Sequence, residues 1–151
     1  LTVAAPAGVV IWWAAHLTVG GESILVTLAE FLEPLGKLMG MDGVLLLAFF
    51  LGFPANEIVM PCALMGYLST GALTGYDSFA GLREILCANG WTESTALCAI
   101  LFTLFHFPCG TTCLTILRET GSGKWTALAA ALPTVIGVGM CVVVRLISLV
   151  L

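Results

Sequence analysis

Long apolar runs, interrupted by proline next to polar side chains, set the pattern of this chain. The first run, Val3 to Val19, carries no charge and has a length at the low end of what a spanning helix needs. Trp12 and Trp13 near its far end, followed by Gly20-Gly21, read as an interfacial aromatic anchor and a stop, with His16 at the same interface. Residues 22–42 set Glu22, Glu30, Glu33 and Asp42 against Ile24, Leu25, Leu28, Phe31, Leu32 and Leu35, a spacing that predicts a helix with one apolar face lying at the interface. Pro34 and the glycines at 36, 40 and 43 make a helix followed by a turn the expected form.

From Gly43 to Tyr76 the only strongly polar side chains are Asn56 and Glu57, and at about 1.5 Å per residue the segment is too long for one crossing of a ~30 Å core. It is expected to bend, re-enter or cross twice. Pro54 and Pro61 remove two backbone donors, so the break falls between them, and Ser69 to Gly75 marks another turn. Residues 77–93, with Asp77, Arg83, Glu84, Asn89 and Glu93, read as a connection outside the hydrocarbon holding one short helix. Ser94 to Leu117 is long enough to span but is interrupted near its middle by Pro108-Cys109-Gly110. Residues 118–125 are expected as a polar loop, cytoplasmic by its Arg118 and Lys124, and Thr126 to Val144 as a last span before Arg145 and a short apolar tail. The expected fold class is all-α, a polytopic membrane helical bundle with broken or re-entrant helices.

Composition strengthens this picture. The chain is 60% hydrophobic and 9% charged, with mean hydropathy +1.09, where soluble domains carry about a quarter charged residues. A lipid bilayer is therefore its surroundings. A net charge of −4 leaves no basic stripe, which argues against nucleic-acid partners. The start Leu1-Thr2-Val3, without initiator methionine or basic leader, reads as an excerpt of a longer chain. The six cysteines show no CxxC pair and sit mostly in apolar runs, so a disulfide framework is not expected, and Cys87, Cys98 and Cys141 read as small buried hydrophobes.

The chemistry lies at the two breaks. The first offers Asn56, Glu57 and Cys62; the second offers His106, Cys109 and Cys113, the last two on one helix face. Carboxylate, imidazole and thiol together suit a borderline divalent transition metal better than magnesium or calcium, and broken helices at the midplane are how many transporters expose binding groups. Proline in a membrane helix is often only a kink, and Asn56, Thr111 or Thr112 can simply satisfy the carbonyls it frees. A kink does not require Glu57, and an acid in hydrocarbon costs about 2.5–3.5 kcal/mol on insertion scales. Gly121-Ser122-Gly123-Lys124 imitates part of a phosphate loop but lacks its first glycine and is followed by Trp125. With no HExxH or nucleophile-base order either, an enzyme is not expected.

At these residues the chain closely resembles the C-terminal membrane half of the bacterial ferrous iron transporter B family. The matching pieces are Ala4 to Gly8, the segment Gly52-Phe53-Pro54-Ala55-Asn56-Glu57-Ile58-Val59, Leu101 to Thr112, Arg118 to Ser122 and Lys124 to Thr126. The resemblance implies a multi-pass importer of Fe²⁺ in the bacterial inner membrane. Residues 1–151 would be a partial gate domain holding the second of two gate repeats. The first gate, and an N-terminal domain that binds GTP, would belong to the missing part. It further implies Fe²⁺ as cargo with no resident cofactor, the remaining half of the transporter as partner, and room for a small cytosolic accessory protein and for oligomers. The family's cysteine after proline matches Cys109 and its PANE glutamate matches Glu57. Two alternatives stay open: a gate for nucleosides or other small solutes, with Phe53, Phe105 and Phe107 stacking on a base, and a membrane scaffold that transports nothing.

Overall fold

The computed structural model describes residues 22–68 and 78–150, together with 9, 13 and 16–19. The spanning helix expected over residues 3–19 and the turn expected at 69–75 therefore lie largely or wholly outside the described residues. Thr18–Val19 (β1) pairs antiparallel with Glu22–Ser23 (β2), a two-residue ladder that leads into the helices. These are Ile24–Leu38 (α1), Gly43–Leu51 (α2), Val59–Leu68 (α3), Phe79–Ala88 (α4), Glu93–Phe105 (α5), Gly110–Thr120 (α6) and Gly123–Val150 (α7). Among the described residues two stretches are long and apolar enough to cross a membrane, Glu93–Thr120 and Gly123–Val150. The pair α1 and α2, bent by 107°, adds a third if it counts as one span.

Four of the helices begin where a side chain can take a free backbone donor. Ser23 accepts from Val26 N–H at 3.4 Å, Asp42 from Leu45 N–H at 2.6 Å, Ser78 from Gly81 N–H at 3.1 Å and Thr92 from Thr95 N–H at 3.2 Å. Pro34 does not end α1, which runs on to Leu38; the corner comes at Gly40, whose φ of 74° suits a residue without Cβ. Pro61 lies in the first turn of α3, where its missing N–H has no partner to lose. The polar loop expected at 118–125 shrinks to Gly121 and Ser122, because Gly121 adopts φ 60° and ends α6 while its N–H reaches the Leu117 carbonyl. Arg145 lies inside α7, which continues to Val150.

The core is built from α2, α3, α5 and α7, through Leu45, Leu46, Ala48, Phe49, Cys62, Ala63, Cys98, Phe102 and Cys141. Gly43 lets α2 approach α1 at the Ala29 carbonyl, and Gly137 lets α7 approach Phe105 of α5. Cys98 and Cys141 are buried as expected, and the Cys141 thiol donates to the Cys98 carbonyl at 3.4 Å. Cys87, in contrast, is exposed, because α4 lies against the rest of the bundle on few sides and buries none of its residues fully.

The acids at the α1–α2 corner are structural. Glu33 accepts from Gly43 N–H at 2.7 Å while pairing with Lys37 at 3.2 Å, and Asp42 accepts the Tyr67 hydroxyl at 2.5 Å. Trp91 Nε1–H in turn donates to that hydroxyl at 2.8 Å, tying the end of α3 and the start of α5 to the corner. Asp42→Ala removes a cap and strands the tyrosine hydroxyl, so a loss of about 2 kcal/mol is expected. Thermal unfolding of the purified protein in detergent checks this, with Asp42→Asn, which keeps an acceptor, losing less.

Candidate functional site

The first break follows from proline chemistry. Pro54 disfavours helical backbone at the preceding Phe53, and α2 closes with Gly52 N–H on the Ala48 carbonyl at 2.8 Å before a turn over residues 52–54. A short 3-10 turn, Asn56–Ile58, then leads into α3. The second break repeats the logic. Phe107 precedes Pro108, α5 closes with His106 N–H on the Phe102 carbonyl at 2.7 Å, and the chain stays extended until α6 starts after Cys109.

The two breaks meet. Gly110 N–H donates to the Phe53 carbonyl at 2.7 Å, so an orphan donor of α6 satisfies a carbonyl that Pro54 keeps out of α2. Phe107 packs between the two segments, its ring centroid 6.0 Å from Phe50 and 5.6 Å from Phe53. The absence of a side chain on Gly110 makes room for this, since a Cβ there would stand 3.2 Å from Phe53 Cε1.

The expected site residues divide by environment. Asn56 and Glu57 are exposed, in the turn that opens toward the N-terminus of α3. Cys109 is half-buried at the N-terminus of α6, its sulfur 3.2 Å from the Thr112 hydroxyl. Both anionic-capable groups thus stand at the electropositive ends of helices. The Cys113 thiol donates to the Pro108 carbonyl at 3.4 Å and so braces the break. Cys62 is 3% exposed and packs in the core. His106 is buried, its Nδ1 2.9 Å from the Thr103 carbonyl. Among the described residues no three His, Cys, Asp or Glu side chains are grouped to hold a metal ion, so the breaks bring the two segments together without assembling a cage.

Two features escaped the sequence. The Phe53–Gly110 hydrogen bond joins backbone to backbone, and only the glycine after Pro108-Cys109 hinted at a close approach. The Asp42–Tyr67–Trp91 chain connects residues from three helices or their flanks, and no local spacing signals it.

A family model described as Gate, nucleoside recognition, matches residues 1–123. The chain is 32% identical over 139 residues to the Fe(2+) transporter FeoB of Staphylococcus aureus (strain COL), covering 84% of this chain and 19% of that protein. It is 27% identical over 123 residues to the Fe(2+) transport protein A/Fe(2+) transporter FeoB fusion protein of Porphyromonas gingivalis (strain ATCC BAA-308 / W83), covering 76% of this chain and 14% of that protein. It spans a fifth or less of the length of these curated relatives. No solved structure matches the chain.

Proposed function

Because the chain belongs to the Gate (nucleoside recognition) family, we propose that its residues 1–151 form the second gate of a ferrous iron importer, working with further segments of a longer transporter. Its apolar helices and its relatives make it part of a multi-pass protein of the bacterial inner membrane. The observation that carries the reading is the junction of the two breaks at Phe53 and Gly110, beside which the exposed Asn56 and Glu57 and the half-buried Cys109 lie. Supporting it, the relatives quoted above are named as Fe(2+) transporters.

Glu57 and Cys109 offer the cation a carboxylate and a sulfur, with Asn56 as a neutral oxygen. Cys113, Cys62 and His106 stand further back. An ion that passes must bind well enough to enter and weakly enough to leave, so separate donors used in turn suit passage better than a closed tetrahedral set. Fe²⁺ is the cargo, no resident cofactor is assigned, and the membrane part catalyses no reaction. GTP binding, the first gate, the accessory protein and assembly into oligomers belong to the longer protein.

Uptake of Fe²⁺ by cells carrying the full-length parent tests this. Glu57→Ala and Cys109→Ser are each expected to lower the initial rate by about tenfold at equal expression, the range typical of lost metal contacts. Wild-type rates in both variants would defeat the proposal. The exposed rings of Phe50 and Phe53 favour a second reading, in which the cargo is a nucleoside stacked on them. Uptake competed by uridine and indifferent to a ferrous chelator would favour that one.

A further inference from the structure

Nε2 of His106 is buried and, among the described residues, has no hydrogen-bond partner. The ring's other nitrogen faces the Thr103 carbonyl, which can only accept, so Nδ1 carries a proton and the neutral tautomer of this ring has its lone pair at Nε2. Buried polar atoms are normally paired, and an orphan asks for a reason. Three rings stand around it: Phe49 at 5.4 Å, Phe102 at 5.9 Å and Phe107 at 5.2 Å between centroids.

These rings form a graded file. Phe50 and Phe53 are 50% and 42% exposed, Phe107 is half-buried, His106 is 7% exposed, and Phe49 and Phe102 are 1% and 3% exposed. Phe107 touches both the outer pair and His106, so it is the link between the junction of the breaks and the buried imidazole. It also sits in the non-helical segment before Pro108, where its ring can turn without disturbing a helical ladder.

We propose that His106 Nε2 is an inner binding station for a borderline divalent cation of the Fe²⁺ class, and that Phe107 is the movable ring that closes it off from the donors at the breaks. This rests on the cation-transport function proposed above. A neutral imidazole is a good ligand for such ions and needs to lose no proton to bind one. The aromatic rings packed around it are groups whose π-faces attract cations, and a single imidazole without a grouped set of ligands keeps the stay short. In the closed form the lone pair is left unpaired, ready for an ion rather than engaged by the protein.

The full-length parent, purified and reconstituted in liposomes, provides the test. His106→Phe keeps a ring in the box and removes the orphan atom along with the Nδ1–Thr103 contact, so a merely structural histidine would leave uptake unchanged while stability falls slightly. The expected result is a folded protein with a thermal midpoint little changed and Fe²⁺ uptake lowered about tenfold. Phe107→Ala is expected to raise the rate at which diethyl pyrocarbonate modifies His106 severalfold, read by mass spectrometry, and Zn²⁺ is expected to slow that modification. Wild-type uptake in His106→Phe, or modification in Phe107→Ala that is no faster or that Zn²⁺ does not slow, overturns the station. Because protection is read without transport, a parent that moves no Fe²⁺ but shows Zn²⁺ protection of His106 defeats the importer and upholds the metal site.

Discussion

Gly43→Val is expected to yield no monodisperse folded protein. A Cβ at this position would fall on the Ala29 carbonyl oxygen and stand 2.9 Å from both the Ala29 carbonyl carbon and Glu33 N. All three are backbone atoms of α1, which cannot swing aside as a side-chain end can. The other side of the corner is equally tight, since a Cβ on Gly36 would stand 2.7 Å from the Asp42 carbonyl carbon. Overpacking against movable side chains costs about 1–3 kcal/mol, so a backbone clash that also displaces the Glu33–Gly43 and Asp42–Leu45 hydrogen bonds exceeds that range. Total stabilities of about 5–15 kcal/mol leave little after such a loss. Size-exclusion chromatography of detergent extracts reads the outcome. Gly139→Ala serves as the control: it lies in α7, a methyl group added there would meet nothing within 4 Å, and a gain of up to about 1 kcal/mol is expected from its better helix propensity.

Gly137→Leu is expected to separate stability from transport more finely. A Cβ there would stand 2.9 Å from Phe105 Cβ and 3.4 Å from its carbonyl carbon and oxygen, where α7 crosses the last residue of α5. Only the Cβ contact is too close, the two backbone atoms standing near ordinary van der Waals distance, so the protein should fold, about 1–3 kcal/mol less stable. Phe105 directly precedes His106, however, and a shift of the α5 terminus displaces the imidazole and the break beyond it. Transport is therefore expected to fall by about tenfold although Gly137 touches no cargo, in keeping with the cost of moving binding groups by an ångström. Liposome uptake and thermal unfolding of the same preparation check both arms. Adding Phe105→Gly removes the Cβ contact and should restore part of each.

How far the sequence foretells this structure depends on where the causes lie. The two breaks are legible because proline acts locally: it withholds an N–H and restrains the residue before it, whatever the surroundings. Their meeting is not, because a carbonyl at Phe53 and an N–H at Gly110 carry no side-chain signature. The continuation of α1 past Pro34 is hidden for a related reason. One missing donor is a small loss to a helix that is capped by Ser23 and seated on α2. The acids Glu33 and Asp42 read as interfacial charges, whereas each finds a backbone donor at the head of α2, a pairing that requires knowing that the chain turns between them. Of the expected site residues, Cys62 packs in the core, an outcome that its uncharged stretch of sequence allows. The exposure of Glu57 and the burial of His106 are tertiary outcomes, since both lie among apolar neighbours in sequence.

The α1–α2 corner has a consequence for the making of the protein. Its ties run from Ser23 to Val26, from Glu33 to Gly43 and from Asp42 to Leu45, all within a short stretch of chain. These bonds need nothing synthesised later, although Cys98 and Arg145 come to pack beside Gly40 once they are made. The corner can therefore assemble as soon as it leaves the ribosome, with Tyr67 arriving next to take up Asp42 and Trp91 locking the tyrosine after that. The helices that carry the second break then insert against a template already set, and the first break waits, with the Phe53 carbonyl unclaimed, until Gly110 is translated.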